Sequence, residues 1–483
     1  MDKIKIFFNK YSLLIFGLIT IFIMLFRIPF WDETHAFNIS CLKLKEIFYL
    51  TRIEGHGIFW YLILKPFNNV KFYPYSMFLI NWIFCILALL VLWKKSPFNT
   101  LIKVLITFSF PFLNYFAPVA RCYSLGILFL FLACSYYPKR FKKPYHYSFM
   151  LFLCANTSVV MALCCFYFVI FYVFELFSRF KRKMLSKNVL IKTLSIFVLL
   201  VLTLFLQFFK TQTPYRDNSI NFIFDIMNYL LIPNGLCITS FLFRLTIFIS
   251  FYYSIFYLFK KSKKALLFIL AQFITLSSLF IFIYYGNWWN YLFYYIYFIA
   301  FCWIFYKKLF KNKVIKIFYT VIFILALFPS SFLNTGNMKF VNESKSLYIA
   351  NYIYKNENYK NAKLYVLEWW NDIAPASLAY LDKKNIKIYD VYNRDRKSFE
   401  SIKDIFKLAQ IEIDLDEFIK FYNENKKAYI LTTDIFLRQN FKDTTYFEQN
   451  DDYIFETKKR KYLFKKVDEV EKYNLEIYQI FCL

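Results

Sequence analysis

The sequence predicts a polytopic α-helical membrane protein that carries a soluble α/β domain at its C-terminal end. Three observations support that expectation. The chain of 483 residues is 59% hydrophobic and 24% aromatic, with a mean hydropathy of +0.40. Its apolar residues stand in long runs, not periodic stripes, and the runs are long enough to cross a hydrocarbon core of roughly 30 Å. The composition changes at Asn334: residues 1–333 hold 35 Lys/Arg against 8 Asp/Glu, and residues 334–483 hold 25 against 24.

The formal net charge of +28 lies almost entirely in the first part. It sits there in short clusters between apolar runs, as cytoplasmic loops do, and no nucleic-acid motif accompanies it. The clusters order the spans. Lys3, Lys5 and Lys10 precede an uncleaved first span, Tyr11–Phe30, which has no small-residue cleavage site and is not a signal peptide. Residues 31–70 then lie outside. Tyr75–Trp93 returns to Lys94, Lys95 and Lys103, Leu105–Phe116 goes out to the turn Ala117–Arg121, and Cys122–Tyr137 comes back to Lys139–Lys143. Ser148–Phe177 is long for one upright helix, and its polar break Asn156-Thr157-Ser158 predicts two short spans before Arg179–Lys187. Val189–Phe208 leads out to a loop running to Arg244, Leu245–Phe259 returns to Lys260–Lys264, and Ala265–Tyr285 reaches the outer turn Gly286–Asn290. Tyr291–Tyr306 re-enters, and Val314–Leu333 leaves for the last time. The expected total is about eleven spans, with every basic cluster on one side.

From Asn334 onward, strands are expected at Lys363–Trp369, Asn385–Val391, Ala428–Thr433, Lys461–Val467 and Glu476–Phe481. Helix-like pieces are expected at Ser344–Lys355, Ala374–Leu381 and Ser401–Tyr422. These make an extracytoplasmic α/β domain of ordinary size. It lacks a glycine-rich phosphate loop, so a supporting or acceptor-binding role fits it best. The ten cysteines are scattered, mostly in apolar runs, and read as packing residues rather than a disulfide framework.

Function is expected in the first outer loop. Four of the eight acidic residues before Asn334 (Asp32, Glu33, Glu46 and Glu54) lie between Trp31 and Trp60, beside His35 and His56. A carboxylate at a membrane face has to be solvated, paired or put to use. Asp32 reads as a general base, or otherwise as the N-cap of an interfacial helix. Glu33 reads as its support, paired with Arg52 or a backbone amide. His35 reads as structural. The set of Asp32, Glu33, His35, Glu54 and His56 also has the chemistry to hold Mn or Mg, but no ligand spacing marks a metal site.

Trp31-Asp32-Glu33 after the first span, Glu54-Gly55-His56 before Phe59-Trp60-Tyr61, and Ala120-Arg121-Cys122-Tyr123-Ser124-Leu125 occur in that order. Together they resemble the GT-C class of membrane glycosyltransferases, nearest the group of protein O-mannosyltransferases and lipid A aminoarabinose transferases. The resemblance implies an inverting hexosyl- or pentosyltransferase of the bacterial cell membrane, working without a metal or other cofactor. Its donor would be a polyprenyl-phosphate sugar and its acceptor a lipid, polysaccharide or protein. Asp32 and Glu33 would be catalytic. Glu54 and His56 would contact acceptor or sugar, Arg121 the donor phosphate, Tyr123 the substrate, and Trp288 and Trp289 the sugar or prenyl chain. The last two also read as an interfacial aromatic belt, and Arg121 as an interfacial arginine that snorkels. The chain departs from the group at Gly57, where proline is expected, and at the uncharged turn Gly286–Asn290. Lys210, Arg216 and Arg244 are the candidates to supply that missing charge. The alternative class is a transporter or flippase of a lipid-linked saccharide, which would place its charges near the middle of the membrane.

Overall fold

The computed structural model of the chain describes residues 2–27, 29, 31–45, 47–48, 51, 56–68, 72, 74–208, 253, 256–258, 260–278, 288–327, 352, 355–356 and 359, and the seven strands given below. The chain forms two compact units. One comprises Met1–Arg27, Ile47–Leu64 and Met77–Phe340; the other comprises Ile28–Glu46, Lys65–Ser76 and Val341–Leu483.

The first unit is helical. Its described α-helices of seven or more residues are α1 (Asp2–Phe26), α3 (Ile58–Leu64), α4 (Tyr75–Lys95), α5 (Thr100–Thr107), α6 (Tyr123–Tyr136), α7 (Pro144–Ala155), α8 (Val159–Lys181), α9 (Lys187–Phe208), α10 (Lys263–Ser278), α11 (Trp288–Ile304) and α12 (Lys313–Leu325); α2 (Trp31–Ser40) belongs to the second unit. A π-helical segment, Pro111–Phe116, lies between α5 and α6. Among the described residues, four helical stretches are long and apolar enough to cross a membrane: Ile6–Phe26, Tyr75–Lys95, Val159–Lys181 and Lys187–Gln207. They turn apolar side chains outward, Leu14, Leu18 and Phe22 on α1 and Val198, Val201 and Phe205 on α9, as a hydrocarbon solvent requires.

Polar residues fix the helix ends. Asn99 caps α5 by accepting from the Ile102 N–H, and Asn312 caps α12 by accepting from Val314 and Ile315. The break expected inside Ser148–Phe177 is present: α7 ends at Ala155, and Ser158, in extended conformation, caps α8. The two helices pack against one another.

Polar contacts collect at the two ends of α8, about 25 Å apart along its axis from Ser158 to Glu175. At the far end the Arg140 guanidinium grips Glu175, with Nε to Oε2 at 2.8 Å, and Lys264 Nζ reaches the same carboxylate. Lys308 Nζ donates to Ser262 at 3.1 Å, and Thr100 donates to Asn9 at 3.0 Å. Each of these contacts joins segments expected on the basic side. Those at the Ser158 end join segments expected on the other.

The second unit contains a seven-stranded sheet of order β2-β1-β3-β7-β6-β5-β4. Its strands are β1 (Lys363–Val366), β2 (Lys387–Asp390), β3 (Ala428–Thr432), β4 (Thr445–Gln449), β5 (Asp452–Glu456), β6 (Lys461–Val470) and β7 (Leu475–Cys482). β1 pairs in parallel with β2 and β3, and β7 to β4 run as an antiparallel meander. Tyr453, Phe455, Tyr462, Phe464 and Tyr478 share one buried face by strand alternation, and Ile477 is buried on the other. All five expected strands are present, and β4 and β5 are additional. The expected helices at Ala374–Leu381 and Ser401–Tyr422 lie outside the described residues, as does most of Ser344–Lys355. In α2's unit, Lys65 Nζ donates to the Leu42 carbonyl at 2.5 Å and Asn68 Nδ2 to the Ser40 carbonyl at 2.9 Å, closing that part of the first loop.

Candidate active site

Two segments distant in sequence meet at the Ser158 end of α8. One is His56-Gly57-Ile58, ahead of α3; the other is the turn from Ala117 to Cys122, between the π-helical segment and α6.

The first segment is seated in the break between α7 and α8. His56 and Ser158 form an antiparallel bridge, and the Gly57 N–H donates to the Thr157 carbonyl at 2.9 Å. The Ile58 N–H donates to Gln207 Oε1 at 3.1 Å; Gln207 Nε2 donates to Asn156 Oδ1 at 2.6 Å, and Asn156 Nδ2 to the Phe152 carbonyl at 2.8 Å. Asn156, Thr157, Ser158 and Gln207 are all buried. In an apolar bundle every peptide group needs a protein partner, and here the loop and the broken helix satisfy each other. The departure at Gly57 therefore has a packing reason. Gly57 is buried, and a Cβ there would stand 1.7 Å from the Asn156 carbonyl oxygen. Proline, besides filling that space, has no N–H to give Thr157.

The second segment presents Arg121, whose Nη2 lies 2.5 Å from His56 Nε2. A guanidinium only donates, so Nε2 accepts and the imidazole proton sits on Nδ1, facing Cys122 Sγ at 3.6 Å. Tyr123 backs both groups: its ring is edge-on to His56 at 6.1 Å, and its centroid lies 5.8 Å from the Arg121 guanidinium carbon. Tyr115 stacks on Tyr123, and Phe293 meets it edge-on at 4.9 Å. Arg121 is only 8% exposed, so it does not snorkel outward as an interfacial arginine does.

Of the predicted site residues, the structure brings His56, Arg121 and Tyr123 together. Asp32 and Glu33 lie in the first turn of α2, which starts at Trp31, so Asp32 stands inside the helix and not at its N-cap. A carboxylate in a first turn is favoured by the helix dipole. Glu33 is fully buried. The side chains of Asp32 and His35, and residues Arg52 and Glu54, lie outside what the structure describes. Trp288 and Trp289 open α11, but their side chains are likewise outside it, as are Lys210, Arg216, Arg244 and the turn residues Gly286 and Asn287. No group of three or more His, Cys, Asp or Glu suited to a metal ion occurs among the described residues.

Two residues of this region were not singled out from the sequence, Gln207 and Asn81. Both are isolated amides in apolar spans, and that isolation was a usable signal, because lipid tolerates such groups only when something engages them. The assembled pair has a defined chemical capacity. It offers a guanidinium in a low-dielectric aromatic setting, held by a neutral imidazole, which is a strong bidentate holder of phosphate oxygens. No protein-family model matches the chain, and no curated protein matches it.

Proposed function

We propose that the protein is a membrane glycosyltransferase of GT-C type. It would transfer a sugar from a polyprenyl-phosphate donor to a lipid, polysaccharide or protein acceptor at the outer face of the bacterial cytoplasmic membrane. The observation that carries this reading is the contact of Arg121 with His56. Two of the three motif segments that resemble the family converge on one polar site at a single end of the helical unit. The basic contacts around Glu175 gather at the opposite end of α8, which supports a sidedness with the motif loops outside.

In this reading Asp32 takes the proton of the acceptor hydroxyl, whose oxygen bonds to the anomeric carbon of the sugar. The bond from that carbon to the phosphate oxygen breaks, and the electron pair leaves with the polyprenyl phosphate. Arg121 receives the charge that develops on the departing phosphate. His56, accepting from Arg121 at rest, keeps the guanidinium oriented until a phosphate oxygen replaces it. Glu33 supports Asp32, and Trp288 and Trp289 line the sugar or the prenyl chain.

The test is sugar transfer from a polyprenyl-phosphate donor, measured beside donor binding for wild type and Asp32→Asn. Loss of general-base help lowers turnover by about a hundred- to ten-thousand-fold, whereas donor binding survives. Normal transfer by Asp32→Asn at equal protein level would overturn the assignment and leave transport of a lipid-linked saccharide as the leading reading.

A further inference from the structure

We infer that Asn81, in the middle of an apolar helix, is the positioning residue that sets Arg121 for a phosphate; this rests on the reading of Arg121 as the donor-phosphate contact. Asn81 belongs to α4 and is 0% exposed. Its Nδ2 stands 2.9 Å from the Phe116 carbonyl, 3.0 Å from that of Ala117 and 2.9 Å from that of Val119. The amide orientation is unambiguous, since Oδ1 in that place would face three carbonyl oxygens. The Arg27 guanidinium donates to the fourth carbonyl of the series, Pro118, at 3.0 Å, and Ser124 Oγ donates to Phe116 at 2.5 Å.

Every carbonyl from 116 to 119 is thus held by a side chain. These are the orphan acceptors at the end of the π-helical segment, and in lipid no water is present to satisfy them. The link to Arg121 is direct. Val119's carbonyl accepts from Asn81 Nδ2 and also from the Arg121 N–H at 2.9 Å. One carbonyl oxygen therefore joins the Asn81 amide to the backbone of the residue that carries the guanidinium. Asn81 Oδ1 meanwhile has no hydrogen-bond partner among the described residues, a cost at a buried position. What the residue contributes is its pair of donors, and both are spent on this turn. Arg27, just past the end of α1, and Asn81 of α4 together clamp the step that aims Arg121 at His56.

The experiment uses full-length protein in phosphatidylcholine nanodiscs, titrated with undecaprenyl phosphate and read by native mass spectrometry. Four proteins are compared: wild type, Asn81→Ala, Arg121→Ala and the double variant. Arg121→Ala is expected to weaken binding by about tenfold to a hundredfold, the range of one charge-assisted contact. Asn81→Ala is expected to weaken it by about three- to tenfold in the wild-type background and not at all in the Arg121→Ala background, because a residue acting only through Arg121 is non-additive with its loss. A purely structural role would give the same change in both backgrounds and would overturn the inference while leaving the function intact. Asn81→Ala binding as wild type does the same. Equal binding by wild type and Arg121→Ala would overturn the phosphate reading, and this inference with it. If Asn81→Ala does not accumulate, Asn81→Ser keeps one donor, and Arg27→Gln loosens the same turn at Pro118; both are held to the same two-background comparison.

Discussion

Replacing Gly57 by alanine is the smallest change that reaches the centre of the site. The added Cβ would sit 1.7 Å from the Asn156 carbonyl oxygen, and such contacts are not tolerated under 3.0 Å, so the strand-like segment must move by about 1.3 Å. The obstacle is backbone, and Asn156 is itself tied to Gln207 at 2.6 Å, so the neighbour is not free to give way. A displacement of that size breaks the Gly57 N–H bond to Thr157, which alone contributes about 0.5–1.5 kcal/mol. It also carries His56 off Arg121, where the present separation is 2.5 Å. Misplacing a positioning group by about 1 Å costs on the order of a hundredfold in rate. Gly57→Ala should therefore reduce sugar transfer per folded molecule by about that factor, with a lowered thermal midpoint. The assay is transfer in membranes, normalised to folded protein by fluorescence size-exclusion chromatography. Gly57→Ala protein that transfers at the wild-type rate would refute the idea that the seating of residues 56–58 positions the site.

Further outcomes are expected in the same system. Arg121→Lys should retain more use of polyprenyl-phosphate sugar than Arg121→Ala, because an ammonium keeps the charge but loses the planar fork; the two KM values for donor decide it. Glu175→Gln should lower the thermal midpoint, removing about 1–2 kcal/mol once its partial exposure is allowed for, without changing donor KM. A changed donor KM would mean that the two ends of α8 are not independent. For topology, in a Cys237→Ser/Cys482→Ser background an impermeant thiol reagent on intact cells should label the exposed native Cys41, with the signal lost when Cys41→Ser is added. Introduced Lys142→Cys and Lys261→Cys should react only after permeabilisation. Labelling in the reverse order would place the first loop in the cytoplasm and remove the donor assignment.

Composition and periodicity were enough for the elements whose stability is local. Apolar runs such as Tyr75–Trp93 become helices because backbone groups in lipid must pair within their own segment, whatever surrounds them. The break at Asn156–Ser158 was legible for a related reason: Ser158 and its neighbours bond their own backbone and offer an alternative to the helix. The five expected strands are short runs rich in Ile, Val, Leu, Tyr and Phe, and β4–β5 escapes that signal because its charged Asn-Asp junction masks what is also a hairpin signal. His56, Arg121 and Tyr123 were legible as motif residues, but not as one site. Their meeting depends on long-range partners: Thr157 and Gln207 for residues 56–58, Arg27 and Asn81 for the turn before Arg121. An isolated amide in an apolar run marks a position that needs a partner, and only tertiary packing selects which carbonyl it meets. Gly57 is the sharpest case, because the space it leaves empty belongs to a residue about a hundred positions away along the chain.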